Sequence, residues 1–238
     1  MSGTALGRIE RLMRYPVKSM RGEELQSAQV TRDGVRGDRV FAFVDPAKKN
    51  NFPWVSARQV PEMLLFRPRF LDPEAGRDRI EVTTPEGETR LIDDPAFLTE
   101  LESRWQRPLI LRRSERGMPD SHPLSVFGMA TLAQLSARLG STLDPLRFRA
   151  NLYVEWADPS PLFEESLLGK PLRIGDRLKI EITQKDPRCT IVNLEPSSAV
   201  SDPRILQTVG KSYGGRLGVY AVVLEEGVCR KGDAVELA

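Results

Sequence analysis

Cysteine and histidine are nearly missing from this chain. Among 238 residues, Cys189 and Cys229 are its two cysteines and His122 its one histidine. So few exclude a disulfide framework and the common zinc patterns. They also exclude a Ser-His-Asp or Cys-His catalytic group unless His122 serves it. No apolar run approaches the roughly eighteen residues of a membrane helix, and the N-terminal MSGTALGRIERL has no apolar signal core. The expectation is a soluble protein of the reducing cytoplasm that does not work at a membrane. An excess of one charge is also absent: 35 basic against 33 acidic residues leave a net charge of +2. A dedicated nucleic-acid binder usually carries more. Neither GxGxxG nor GxxxxGK[ST] occurs, so nothing points to a nucleotide fold. Redox chemistry in such a chain requires a borrowed cofactor.

What is present is mostly strand pattern. Residues 7–16, 25–31 and 39–45 are β-rich, the last two flanking the glycine-marked turn DGVRGD. Val55, Leu64-Leu65-Phe66, Ile80-Glu81-Val82 and Leu109-Ile110-Leu111 are further short runs. Leu178, Ile180 and Ile182 alternate with Lys179 and Glu181, a strand with one wet face. Two helices are predicted. One opens at Asp94-Pro95, carries Phe97, Leu98, Leu101 and Trp105 on one stripe, and ends before Pro108. The other spans about 129–139, with Leu132, Leu135 and Leu139 aligned and Gly140 at its C-terminal stop. Two Gly-Asp turns, in 172–178 and 228–235, suit hairpins or bulges at a barrel rim. Short strands without regular β-α alternation argue for a mainly β or α+β fold centred on a β-barrel. The segment 114–124 is the best internal boundary.

Several residues are candidates for chemistry. A lone cysteine is usually a small buried hydrophobe, but Arg188 precedes Cys189, and a neighbouring guanidinium favours the thiolate. Arg230 stands beside Cys229 too, so adjacency alone does not separate the pair. If 147–151 is a strand, Arg147, Arg149 and Asn151 point to one side, as three donors for an anion or polar heterocycle or as a solvated face. Lys18 and Ser19, in Tyr15-Pro-Val-Lys-Ser19, offer an ammonium and a hydroxyl to a phosphate. Arginines clustered at 8–21 and 104–116 are either a solvated face or a pocket for a small anion.

These signals share an order. Tyr15-Pro-Val-Lys-Ser19, Gly37-Asp-Arg-Val-Phe41, Val55-Ser-Ala-Arg-Gln59, Phe148-Arg-Ala-Asn151, Arg188-Cys189 and Gly232-Asp-Ala-Val235 follow one another. In that order the chain resembles the MOSC proteins that carry an N-terminal β-barrel region, among them the amidoxime-reducing components. The resemblance implies an N-terminal barrel-like region over 1–117 and a MOSC domain over 118–238. It implies a molybdenum cofactor (molybdenum-molybdopterin) ligated by Cys189, with Lys18, Ser19 and Arg39 at the phosphate end. Arg149 and Asn151 would line the pterin, with Arg188 and Tyr220 also near the cofactor. It implies an oxidoreductase that reduces small N-hydroxylated substrates with electrons from a separate flavin or iron–sulfur protein. The family often has proline where Ala150 stands, a small residue such as serine at Pro187, and a serine helix cap at Gly128. Two other readings fit the residues. Cys189 as a persulfide-bearing sulfur carrier is one; a barrel module whose arginines hold a nucleotide or nucleic acid is the other. No general acid is evident, and His122 is expected to be structural.

Overall fold

The computed structural model describes residues 5–49, 52–72 and 79–238. The first half contributes β1 (Gly7–Arg14), β2 (Glu23–Leu25), β3 (Ser27–Thr31), β4 (Gly34–Val35) and β5 (Phe41–Val44). After these come β6 (Arg67–Phe70), β7 (Ile80–Thr83), β8 (Thr89–Leu91), helix α1 (Pro95–Trp105) and β9 (Ile110–Arg113). In α1, Asp94 accepts the Ala96 N–H at 2.9 Å, and Pro95 sits where no N–H is needed. Gln106, in the left-handed conformation, ends the helix just ahead of Pro108. The stripe Phe97, Leu101 and Trp105 is buried. Trp105 meets Phe43 and Phe66 edge-on, with centroids 5.4 and 5.7 Å away. Leu64-Leu65-Phe66 is not a strand: residues Pro61–Leu65 wind as a 3₁₀ turn begun by the fixed φ of Pro61.

The second half supplies β10 (Leu124–Gly128), α2 (Met129–Leu139), β11 (Leu152–Trp156), β12 (Pro171–Ile174) and β13 (Leu178–Pro187). Helix α3 (Arg204–Tyr213), β14 (Arg216–Glu225), β15 (Gly227–Arg230) and β16 (Ala234–Leu237) complete it. A closed seven-stranded barrel runs β11-β10-β14-β13-β12-β16-β1 and returns to β11, with β2 continuing outward from β1. Its one parallel pair is β10–β11, Val126 opposite Leu152, which α2 makes possible as the crossover. Leu178, Ile180 and Ile182 point inward as their alternation predicts, onto Ile9, Leu12, Val126 and Val219. Closure removes the free sheet edges that would otherwise invite pairing with other chains.

Two further features depart from the sequence expectation. Helix α3 lies in a stretch that reads as β; it buries Ile205 and Val209, one turn apart, and ends at Gly214 in the left-handed conformation. Residues 145–151 are not a strand either. Pro145–Phe148 is a 3₁₀ turn capped by Asp144, and Arg149 follows with φ +52°. The side chains of Arg147, Arg149 and Asn151 therefore do not share a strand face. Helix α2 starts at Gly128 without a side-chain cap of its own. Glu164 substitutes from the distant 3₁₀ segment Phe163–Leu167, accepting the Gly128 N–H at 3.1 Å and the Thr131 hydroxyl at 3.0 Å.

Candidate functional site

Three turns meet at one end of the barrel, where it joins the N-terminal half. The turn 15–20 leaves β1 and is bridged to β5 at Val17–Phe41. The loop 36–39 is tied to it, because Tyr15 N–H donates to Asp38 Oδ1 and Arg39 N–H to the Tyr15 carbonyl, both at 2.7 Å. The third turn brings Arg149. Ser19, Arg39 and Arg149 all have positive φ (69°, 53° and 52°), and they are three of the six non-glycine residues so placed among those described. Such conformations cost about 1–3 kcal/mol each and persist only where the surroundings enforce them. Here each one ends with a side chain lining the same cavity.

That cavity is lined by Lys18, Ser19, Arg39, Arg149, Arg188, Cys189 and Tyr220. Of the residues expected at a site, the eighth, Asn151, is the one that does not reach it. Asn151 is buried, its Oδ1 accepting the Ser125 N–H at 3.2 Å and its Nδ2 donating to the Met13 carbonyl at 3.3 Å. These bonds pin β10 and β1 together beneath the site. The arginine clusters also separate. Arg8, Arg11 and Arg14 pair with Glu155, Glu24 and Glu23, and Arg104 with Glu62 and Glu86. Of both clusters, Lys18 alone joins the cavity.

Cys189 is partly exposed at the end of β13, where the chain turns into the 3₁₀ segment Thr190–Asn193. Cys229 differs in kind. It is fully buried in the barrel core, and burial pushes its thiol up to about 12. Arg188 is not a free activator of the neighbouring thiol. Its Nε donates to the Leu217 carbonyl at 2.6 Å, its Nη1 to the Phe148 carbonyl at 2.8 Å, and its Nη2 lies 2.9 Å from Asp186. The guanidinium rests against Phe127 and Phe148, rings stacked 4.4 Å apart, and so ties the barrel end to the 145–149 turn. Gly218, at φ +75°, makes room: a Cβ there would stand 2.9 Å from Arg188 Nη2 and 2.8 Å from Phe127.

Basic groups dominate the remaining wall. Lys18 is buried, donates to the Met118 carbonyl at 2.9 Å and pairs with Asp120. Burial pulls its ammonium below the usual lysine range, with Asp120 opposing that pull. Arg39 pairs with Asp38 and donates to the Arg149 carbonyl at 3.0 Å. Arg149 gives Nη1 to the Met20 carbonyl at 2.7 Å, while its Nη2 is sealed from solvent without a partner. Both guanidiniums lie over the Tyr15 ring, at 5.0 and 4.4 Å. Burial lowers the pKa of Arg149, which an arginine withstands without losing its charge.

Further lining residues, Asp186, Ser125, Ser56, Arg58 and Asp120 among them, have no role assigned from the sequence. Asp186 sits where a bulge in β13 breaks register between Lys185 and Pro187. It accepts the Ser125 hydroxyl at 3.1 Å, and burial raises its pKa against the pull of Arg188 and the Tyr220 hydroxyl. An acidic residue on a strand three positions before Cys189 was the available clue. His122 stacks on Tyr220 at 5.5 Å and contacts Ser121 and Gln184. Among the described residues, no three His, Cys, Asp or Glu side chains group to hold a metal, and no helix is long and apolar enough to cross a membrane.

The chain matches the MOSC domain over residues 113–236 and the MOSC N-terminal beta barrel domain over 6–104. It is 24% identical to mitochondrial amidoxime reducing component 2 of Homo sapiens, over 97% of this chain and 83% of that one. With mitochondrial amidoxime-reducing component 1 of Homo sapiens it shares 24% identity over 98% and 83% of the two chains. The crystal structure of the YUAD protein from Bacillus subtilis superposes with a TM-score of 0.51 at 13% identity, covering 97% of this chain and 94% of that one. That likeness concerns the fold alone. A seven-stranded barrel, an N-terminal β-rich half and both domain matches together establish that the chain belongs to the MOSC family.

Proposed function

We propose that this chain is a molybdenum-cofactor oxidoreductase that reduces N-hydroxylated compounds with electrons from a separate flavin or iron–sulfur protein. The observation that carries the reading is Arg149, whose guanidinium ends in a sealed, unpartnered Nη2 beside Lys18 and Arg39 in the cavity that Cys189 lines. A buried cation without a counter-charge is costly. A cofactor phosphate supplies that charge, so the donor set fits the group. Cys189 offers one sulfur, and a metal held there would take its other ligands from the organic part of the cofactor. Amidoxime reduction in the relatives named above, and the order of motifs along the chain, support the same assignment. Both cysteines are free, in keeping with a reducing, cytoplasmic setting.

When bound, the cofactor supplies two-electron reduction of an N–O bond. The overall change takes two electrons and two protons and releases the amine or amidine and water. The chain's own residues do the rest. Lys18, Ser19, Arg39 and Arg149 bind and orient the anionic end. Arg188 fixes the turn that carries Phe148 and Arg149, and Asp186 holds Arg188 in place. Tyr220, with its hydroxyl on Asp186 and His122 stacked outside it, forms one wall and limits water entry. Burial and the neighbouring Asp186 carboxylate hold the Tyr220 hydroxyl above the usual tyrosine range, so it stays a hydrogen-bond donor.

Metal analysis after expression in a host that makes the cofactor tests the reading. Near-stoichiometric molybdenum is expected in the parent chain and in Cys229→Ala, and a loss of at least roughly tenfold in Cys189→Ala. Equal metal in both variants refutes the ligand. Cyanide-releasable sulfur on Cys189 without molybdenum replaces the reading with that of a sulfur carrier.

A further inference from the structure

Six cations line the cavity, and their partners differ. Lys18, Arg39, Arg147 and Arg188 each face a carboxylate, on Asp120, Asp38, Glu195 and Asp186. Arg149 and Arg58 have none among the described residues. Arg149 is taken up by the phosphate assignment above. Arg58 is different: its side chain is exposed, so it stands at the mouth. Among the described residues its one hydrogen bond is Nε to Ser56 Oγ at 3.5 Å, the limit of such a bond. Asp120, whose carboxylate Arg58 also influences, is already held by Lys18.

The loop that carries Arg58 is built and not loose. Ser56 is buried, and its N–H and hydroxyl both donate to Gln59 Oε1, at 3.0 and 2.8 Å. Val55 N–H donates to the Phe43 carbonyl at 2.9 Å. Beside the guanidinium lies the ring of Phe52, 5.3 Å away and 45% exposed. Trp54 follows, 5.7 Å from the Lys18 ammonium. Ile191, two residues past Cys189, also lines the cavity. Phe52 and Trp54 back the Arg58 and Lys18 cations without lining the cavity themselves, so the mouth offers one preset cation for an anionic group.

We propose that Arg58 is a specificity-determining residue that anchors a carboxylate on the substrate, with the Phe52 ring against its guanidinium. The substrate class is then an N-hydroxylated compound that carries a carboxylate. This deepens the reading under Proposed function and rests on it. Because Arg58 is partly solvated, the contribution is modest, of the order of fivefold in affinity.

The probes are benzamide and 4-carboxybenzamide, neither of which has an N–O bond to reduce. Each is titrated by calorimetry against the cofactor-free chain and against the loaded chain without reductant. 4-Carboxybenzamide is expected to bind roughly fivefold tighter than benzamide, and Arg58→Gln to erase that preference without weakening benzamide. In turnover, Arg58→Gln raises KM for 4-carboxybenzamidoxime by a similar factor, leaving kcat and the kinetics of benzamidoxime unchanged. Equal binding of the two amides, or equal loss of both in Arg58→Gln, overturns the proposal. Loss of molybdenum in Arg58→Gln also overturns it, by assigning Arg58 to the cofactor. The two readings fail separately. A chain without molybdenum that keeps the carboxylate preference defeats the redox function alone, and a loaded, active chain without the preference defeats the anchor alone.

Discussion

Arg149 carries two costs at once, a left-handed backbone and a buried guanidinium nitrogen with no hydrogen-bond partner among the described residues. Neither serves the cofactor-free fold, so removing the charge should not harm it. Arg149→Gln is expected to leave the melting temperature of the cofactor-free chain unchanged or higher, because the lost bond to the Met20 carbonyl is worth about 1 kcal/mol and the relieved buried charge at least as much. Inorganic pyrophosphate should raise the melting temperature of the parent, by about 2.7 kcal/mol of stabilisation at a hundred times its Kd, and do nothing for the variant. A variant that melts several degrees lower, or responds equally to pyrophosphate, contradicts the assignment. The identities of such residues were legible in sequence because Lys18, Ser19, Arg39 and Cys189 lie in motifs whose order is distinctive. Their geometry was not. Nothing in the residue types announces a positive φ at a serine or an arginine, and the pairing of Arg188 with Asp186 needs a bulge that alternation hides. The common strand face of Arg147, Arg149 and Asn151 fails for the same reason: strand periodicity does not hold through a 3₁₀ turn.

At the scale of elements, α1 and α2 are readable because capping and stripe agree. Helix α3 carries the same signals, with Asp202-Pro203 at its start, Ile205 and Val209 on one face and Gly214 at its end, although the surrounding β pattern hides them. The start of α2 shows a substitution within a fold. Where the family commonly places a serine cap, this chain has Gly128, and the Glu164 carboxylate fills the space a Cβ would occupy. Gly128→Ser alone therefore overlaps Glu164 and should destabilise by about 1–3 kcal/mol. Glu164→Ala alone leaves the Gly128 N–H and the Thr131 hydroxyl without their acceptor, at a similar cost. Together they should recover, since the backbone at 128 (φ −80°, ψ 133°) is already that of an N-cap serine. A double-mutant cycle by denaturant unfolding should show coupling of about 1 kcal/mol or more; additive losses disprove the exchange. The same carboxyl sets a pH dependence. Burial raises its folded pKa above the ordinary 4.5, the N–H and hydroxyl donors opposing it. A raised value favours the protonated form in the fold, so the associated stability is fully present below 4.5 and lost as pH rises through the folded value. Glu164→Gln stays neutral, and its stability relative to the parent should climb over that interval. A difference flat with pH would mean that Glu164 titrates normally.

Over the whole molecule, the two family matches divide the chain where folding does not. We propose the boundary near 117/118 as a division of sequence only. The barrel takes six strands from residues 124–237 and its seventh, β1, from residues 7–14, which pair on one side with β11 and on the other with β16. β15 in turn pairs with β3, and the boundary segment is itself tied down, Met118 N–H donating to the Arg39 carbonyl at 2.9 Å. The cavity follows the same logic, with Lys18, Ser19, Arg39 and Arg58 from before the boundary and Arg149, Arg188 and Cys189 from after it. A fragment of 118–238 therefore lacks one wall of its own core. Ile9 and Leu12 would be missing from the barrel interior, and the facing edges of β11 and β16 would be left without ladder partners, a condition that favours aggregation. Such a fragment is expected to show no cooperative thermal transition by circular dichroism. Co-expressed with 1–117 it should recover one, together with retention of the cofactor. If 118–238 melts cooperatively by itself near the temperature of the whole chain, β1 is dispensable and the two halves are independent domains, with a site assembled only when they dock.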